Sequence, residues 1–116
     1  FVEQHNQVPF KFERVYWIYD VPGGENRSGH AYHTTEELII AISGSLDVIV
    51  DDGTNKRTFT LNRSYYGLYI PKGLWRTLTN FSTNSLALEI ASTPYNRADY
   101  VEDYGTYKRM KQHGEI

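Results

Sequence analysis

RSGHAYHTTEELIIAISG, residues 27–44, is the stretch whose reading decides the fold. A polar, turn-prone lead-in passes through His30, Ala31, Tyr32 and His33 into the paired carboxylates Glu36 and Glu37. A solid apolar run, Leu38 to Ile42, follows and stops at Ser43-Gly44. Successive side chains of a strand point to opposite faces. His30 and Tyr32 therefore share one face, and Ala31 and His33 the other. With this stretch in the middle of a β-barrel, the imidazole and the phenol are aimed into one cavity.

Outward from there, strand signals recur at the roughly 8–12-residue spacing of an all-β sandwich or barrel. Lys11 to Asp20 is a run of β-formers with Arg14, Tyr16 and Ile18 on one face and Val15, Trp17 and Tyr19 on the other. Val21-Pro22-Gly23-Gly24 ends it with turn chemistry. Further strands are expected at Leu46–Val50, Lys56–Leu61, Tyr65–Ile70, Leu74–Phe81 and Leu86–Ala91. Asp51-Asp52-Gly53 is the clearest hairpin signal.

Beyond Pro94 the pattern changes. Asn96, with Asp99 three positions on, resembles a helix N-cap. Tyr100, Tyr104 and Tyr107 follow on one helical face and read as a packing stripe. Gly105 is expected to interrupt a long helix, giving two short turns, with Lys108–Ile116 as a solvated tail. The expected organisation is one domain, a barrel over residues 1–93 with helical turns and tail over 94–116. The abrupt, strand-like start at Phe1 leads us to expect a further N-terminal segment.

Composition excludes several function classes. The 116 residues contain no cysteine, so disulfides and thiolate metal sites are ruled out. The net charge is −2 and the 12 basic residues form no run, which argues against nucleic acid as a partner. No apolar run is long enough to span a bilayer, so no membrane partner and a cytoplasmic location are expected. Ten tyrosines suit a sheet-rich protein with polar tips facing a pocket.

Two short patterns flank the central hairpin: His30-x-Tyr32 with Glu37 and Gly44, then Gly67-x3-Pro71-x-Gly73-x2-Arg76-x3-Asn80. Together they resemble the two signature motifs of the cupin superfamily, which implies a jelly-roll β-barrel. In metal-binding cupins, histidines occupy the positions of Tyr32 and Arg76. A guanidinium stays protonated at any working pH, offers no lone pair and repels a divalent cation. We therefore expect no metal and no other cofactor. Arg76 instead suits an anion or an oxygen-rich ligand, and Arg14, on the face of Tyr16, supplies a second cation. These side chains describe a site for a phosphorylated, hydroxyl-rich substrate.

A closer resemblance runs along nearly the whole chain. Arg14-Val15-Tyr16-Trp17-Ile18-Tyr19-Asp20, Arg27-x2-His30-Ala31, Asp51-Asp52-Gly53, Gly67-Leu68-Tyr69, Trp75 and Tyr95-x3-Asp99-Tyr100-Val101-x2-Tyr104 are similar to the dTDP-4-keto-6-deoxyglucose 3,4-ketoisomerases. That family consists of metal-free cupin homodimers in which an N-terminal segment crosses to the partner. Its members act on nucleotide-linked keto-deoxy sugars in cell-surface polysaccharide and antibiotic-sugar pathways. The resemblance implies His30, Tyr32 and Tyr16 as catalytic residues and Arg14, Arg27, Arg76, Trp75 and Glu37 as substrate-binding ones. The family motif H-A-H is His30-Ala31-Tyr32 here, and His33 falls on the opposite face. Family members carry His or Arg at the position of Arg76, and Arg implies the gluco configuration at C4.

Moving a ketone from C4 to C3 needs a base poised near neutrality and groups that stabilise an enediolate. His30 is the natural base, with an unperturbed pKa of about 6.5. Tyr32 suits a hydrogen-bond donor to the enediolate, and Tyr16 a proton relay. Two alternatives stay open: a non-catalytic cupin that binds a nucleotide sugar, and a 3,5-epimerase-like enzyme. Arg76 speaks against a third, a metal-dependent dioxygenase.

Overall fold

The computed structural model describes residues 8–19, 21 and 27–116, with Arg27 and Ser28 described by backbone alone. Asp20 and the Pro22-Gly23-Gly24 turn lie outside the described residues. The elements are β1 (Arg14–Tyr19), β2 (Arg27–Tyr32), β3 (Glu37–Ser43), β4 (Leu46–Asp51), β5 (Lys56–Leu61), β6 (Leu68–Ile70), β7 (Trp75–Thr79), β8 (Leu86–Ala91), a 3-10 turn (Arg97–Asp99), β9 (Tyr100–Val101) and α1 (Tyr104–Gln112).

The strands form two antiparallel sheets, ordered β1-β8-β3-β6 and β5-β4-β7-β2-β9. The architecture is the expected all-β jelly roll, as a two-sheet sandwich. It departs from a closed barrel, since among the described residues no ladder joins one sheet to the other. Ile39, Ala41, Leu46, Val48, Leu78 and Ala87 meet between the sheets. Each large side chain buried there contributes about 1.5–3 kcal/mol.

The run Leu38–Ile42 is solidly apolar because β3 is covered on both faces. Ile39 enters the inner core, whereas Leu38 and Ile40 pack outward with Val8, Phe10 and Ile90. The second sheet is covered by α1, where Tyr107 packs on Ala31, Trp75 and Val101. The phenol of Tyr107 donates to the carbonyls of Asp51 at 3.1 Å and Gly73 at 2.8 Å.

Local chemistry sets the turns. After β4, Asp51 Oδ1 accepts from Gly53 N, and Asp52 Oδ1 accepts from Thr54 N and Asn55 N. Gly44 closes the β3–β4 turn at φ 69°, where a Cβ would meet Ser82 Oγ at 2.5 Å. The expected strand Tyr65–Ile70 is ordered as a strand only from Leu68, the chain at residues 65–67 being largely exposed.

The C-terminal expectation is corrected. A single nine-residue helix runs from Tyr104 to Gln112, so Lys108–Gln112 is helix rather than tail. Gly105 does not break it because it sits in the first turn, where backbone N–H groups need no intrahelical partner. Asp103 caps that turn by accepting from Thr106 N at 2.8 Å. Tyr100 stands outside the helix, in β9.

Candidate active site

One end of the inner space is filled by the aliphatic core; the other is polar. Strand alternation puts Arg14, Tyr16 and Ile18 of β1 on the inner face, and the β1–β8 register places Glu89 opposite Tyr16. From the second sheet come His30, opposite Arg76 in the β2–β7 pair, and Tyr32, opposite Tyr100 in the β2–β9 pair. A cavity of about 590 Å³ is lined among others by Arg14, Tyr16, His30, Arg76, Glu89 and Tyr100, while Tyr32, expected in the site, lies behind this lining. This volume is ordinary for a small-molecule site.

Arg76 forms the floor and ties the sheets together. Its Nε donates to Glu37 Oε1 at 2.8 Å, and its Nη2 donates to Glu37 Oε2 at 3.3 Å and Glu89 Oε1 at 2.9 Å. Nη2 also lies 3.4 Å from the Tyr16 hydroxyl. All three charged residues are buried. Burial opposes the Arg76 charge, but Glu37 and Glu89 outweigh it and fix the guanidinium as a cation. Arg76 and Glu37, expected to bind substrate, are thus engaged with each other, and among the described residues of the site Arg14 is the cation with unpartnered donors.

Arg14 stands among aromatic rings. Its guanidinium carbon lies 5.6–5.9 Å from the ring centres of Tyr16, Tyr32, Tyr95 and Tyr100. Nη1 donates to the Tyr100 hydroxyl at 3.2 Å, while the buried Nε and Nη2 have no hydrogen-bond partner among the described residues. A guanidinium held by π faces rather than carboxylates keeps its fork for an incoming anion.

His30 packs edge-on against Tyr32, with ring centres 4.8 Å apart, and against Tyr100 at 4.9 Å. Burial, then the charges of Arg76 and Arg14, push its imidazole down to about 3. It is a neutral acceptor at working pH, and its buried Nε2 has no protein partner among the described residues. Tyr32 is nearly inaccessible and donates its hydroxyl to that of Tyr100 at 3.3 Å. Burial and then the Glu37 charge keep the Tyr32 phenol protonated. Burial and then Glu89 do the same for Tyr16.

Two expected site residues are not gathered here. Trp75 points away because Arg76, its neighbour in β7, points inward; its indole packs on Tyr104 and Tyr107. Arg27 lies in β2, but its side chain falls outside the described residues.

Sequence reasoning missed three residues: Glu89, Tyr95 and Tyr100. A signal for Glu89 existed, since Leu86–Ala91 alternates and places it between Ala87 and Ala91 on a face that is wholly buried. Tyr100 is fixed by its neighbour Asp99. The Asp99 carboxylate accepts from Thr34 N at 2.7 Å, from Thr34 Oγ1 at 2.9 Å and from Thr35 Oγ1. Burial acts against the Asp99 charge, but these hydroxyl and amide donors prevail and hold its carboxyl below the usual range.

Fold and cavity together define the class: a cupin-like jelly roll whose pocket carries acid–base and cationic side chains. The chain belongs to the family described as "FdtA: WxcM-like, C-terminal", whose model matches residues 1–112. It is 33% identical over 108 residues, 93% of this chain and 78% of the relative, to the TDP-4-oxo-6-deoxy-alpha-D-glucose-3,4-oxoisomerase of Aneurinibacillus thermoaerophilus. Among solved structures, WlaRB, a TDP-quinovose 3,4-ketoisomerase from Campylobacter jejuni, is 40% identical with a TM-score of 0.88, over 93% of this chain and 83% of that one. A variant of the 3,4-ketoisomerase QdtA from Thermoanaerobacterium thermosaccharolyticum, solved with TDP-4-keto-6-deoxyglucose, is 26% identical with a TM-score of 0.93, over 97% and 81%.

Proposed function

We propose that this chain is a TDP-sugar 3,4-ketoisomerase that moves the keto group of a TDP-4-keto-6-deoxyhexose from C4 to C3. The observation that carries the reading is His30, a half-buried imidazole opposite Arg76 that shares with Arg14 a cavity walled by phenols. The family relationship supplies the substrate class.

His30 takes the C3 proton, and the electron pair moves through C4 onto O4 as an enediolate forms. An imidazolium between two cations is costly in the resting site. It becomes favourable as negative charge arrives with the diphosphate and develops on the enediolate. The site is therefore better matched to the charge-separated state than to its resting state. Arg14 offers its unpartnered donors to the anion, Tyr32 and Tyr100 present hydroxyl groups around the imidazole, and Tyr16 exchanges a proton with the substrate oxygen. Arg76, paired with Glu37 and Glu89, holds the polar groups of the cavity floor in fixed positions. Such preorganised donors cost no reorganisation during reaction.

The enzyme works as a single domain and as a homodimer. Supporting the dimer is the outer face of edge strand β1, where Val15, Trp17 and Tyr19 are 52%, 54% and 61% exposed. No described helix is long and apolar enough to cross a membrane. A charged sugar nucleotide stays in the aqueous phase, which supports a cytoplasmic enzyme of deoxysugar and polysaccharide biosynthesis.

The test is incubation with TDP-4-keto-6-deoxyglucose followed by an aminotransferase that accepts only a C3 ketone. Formation of the 3-amino sugar supports the assignment. Tight TDP binding with no 3-keto product makes the protein a binding module instead.

A further inference from the structure

The Glu37–Arg76–Glu89 cluster holds more acid than base. Two carboxylates, from β3 and β8, share one guanidinium from β7, with relative exposures of 1%, 0% and 3% for Glu37, Glu89 and Arg76. With both carboxylates ionised the cluster carries a net negative charge in a low-dielectric interior, whereas one proton makes it neutral. The geometry selects the carboxyl that takes that proton. Glu37 is engaged through both oxygens. Glu89 meets Arg76 only through Oε1, and its buried Oε2 has no hydrogen-bond partner among the described residues.

Tyr16 stands opposite Glu89 in the β1–β8 register, and its hydroxyl lies 3.4 Å from Arg76 Nη2, the same nitrogen that donates to Glu89 Oε1 at 2.9 Å. Because burial and Glu89 disfavour its phenolate, Tyr16 releases a proton to substrate only if it is reprotonated in the same event. We propose that Glu89 is the proton store of the isomerisation, loading and unloading the substrate oxygens through the Tyr16 hydroxyl. This deepens the ketoisomerase reading and rests on it.

The protons and electron pairs balance. The C3–H bond breaks, its proton goes to His30, and its pair becomes the C3=C4 bond. The C4=O π pair moves to O4, which takes the Tyr16 proton as Tyr16 takes that of Glu89. In the second half, O3–H gives its proton to Tyr16, which returns one to Glu89. The oxygen pair forms C3=O, and C4 receives the proton held by His30. Glu89 and His30 end as they began, and the oxidation at C3 matches the reduction at C4.

Burial raises the Glu89 carboxyl, with Arg76 opposing and Glu37 reinforcing, to about 7. The charged and titratable groups facing it are Arg76 of β7, Glu37 of β3, Tyr16 and Arg14 of β1, and, across the cavity, His30 of β2.

The experiment is the pH profile of kcat on TDP-4-keto-6-deoxyglucose for the wild type, Glu89→Gln and Glu37→Gln, with KM measured alongside. The wild type should lose activity as pH rises through about 7. Glu89→Gln should lower kcat by roughly a hundredfold or more with little change in KM, and its alkaline limb should vanish. Glu37→Gln should keep the limb but move it to lower pH, because the Glu37 charge helps to raise Glu89. A Glu89→Gln enzyme that retains the wild-type limb overturns the proposal, whatever its rate. Should that variant not fold, infrared spectra of the wild type decide: a protonated-carboxyl band near pH 6 that disappears by about pH 8 supports the store, and its absence overturns it. A wild type that forms no 3-keto sugar contradicts the ketoisomerase reading itself.

Discussion

His30 and Arg76 stand opposite each other across the β2–β7 pair, an imidazole held against a guanidinium inside the sandwich. Burial and the two nearby cations push His30 down to about 3, below the roughly 6.5 of an unfolded histidine. As pH falls the unfolded chain takes up this proton first. The stability that neutral His30 confers is full above about pH 6.5 and drains away as pH falls toward 3. His30→Asn should therefore gain stability relative to the wild type between pH 7 and pH 4, measured by urea denaturation. A ring that titrates near 6.5 by NMR contradicts this.

Arg14 has four tyrosine rings around it and no carboxylate partner among the described ion pairs. Arg14→Ala should weaken TDP binding roughly ten- to a hundredfold, the loss of a charge-assisted contact worth about 1.5–3 kcal/mol. Arg14→Lys should recover only part, because an ammonium keeps the charge but loses the planar fork. Calorimetric titration with TDP checks both.

Removing Arg76 strands two buried carboxylates. Arg76→Met should destabilise the fold by about 3–5 kcal/mol, the cost of breaking a buried ion pair from one side. Adding Glu37→Gln and Glu89→Gln to it should restore much of that loss. Denaturant midpoints of the single and triple variants test the pairing.

Gly29 precedes His30, where the β2–β7 register shifts. A Cβ there would lie 2.5 Å from Trp75 Nε1 and 2.6 Å from Thr77 Oγ1. Gly29→Ala should cost about 1–3 kcal/mol through overpacking. It should also displace the Trp75 indole, which is read as a shift in tryptophan fluorescence, and lower activity by moving His30.

The alternation of residues 27–33 was enough to place His30 and Tyr32 on the inner face, and the inward face of β1 followed from the same period. What stayed hidden depended on neighbours distant in sequence. Glu37 and Arg76, 39 residues apart, neutralise each other, and only the sheet-to-sheet packing reveals it. Trp75 is adjacent to a site residue in sequence but opposite to it in space. Tyr100 continued a helical spacing with Tyr104 and Tyr107, yet it pairs with Tyr32 in a short strand because Asp99 anchors the chain to Thr34 and Thr35. Tertiary anchoring overrode local periodicity there.

The central claim is that His30 removes the proton from C3. The direct measurement is NMR of TDP-4-keto-6-deoxyglucose in deuterated water, with the wild type and with His30→Asn. The wild type should wash deuterium into C3 of the recovered substrate and yield the 3-keto sugar deuterated at C4, while His30→Asn should do neither yet still bind TDP. Exchange at C3 by His30→Asn at the wild-type rate, or exchange at C5 in its place, would contradict the account.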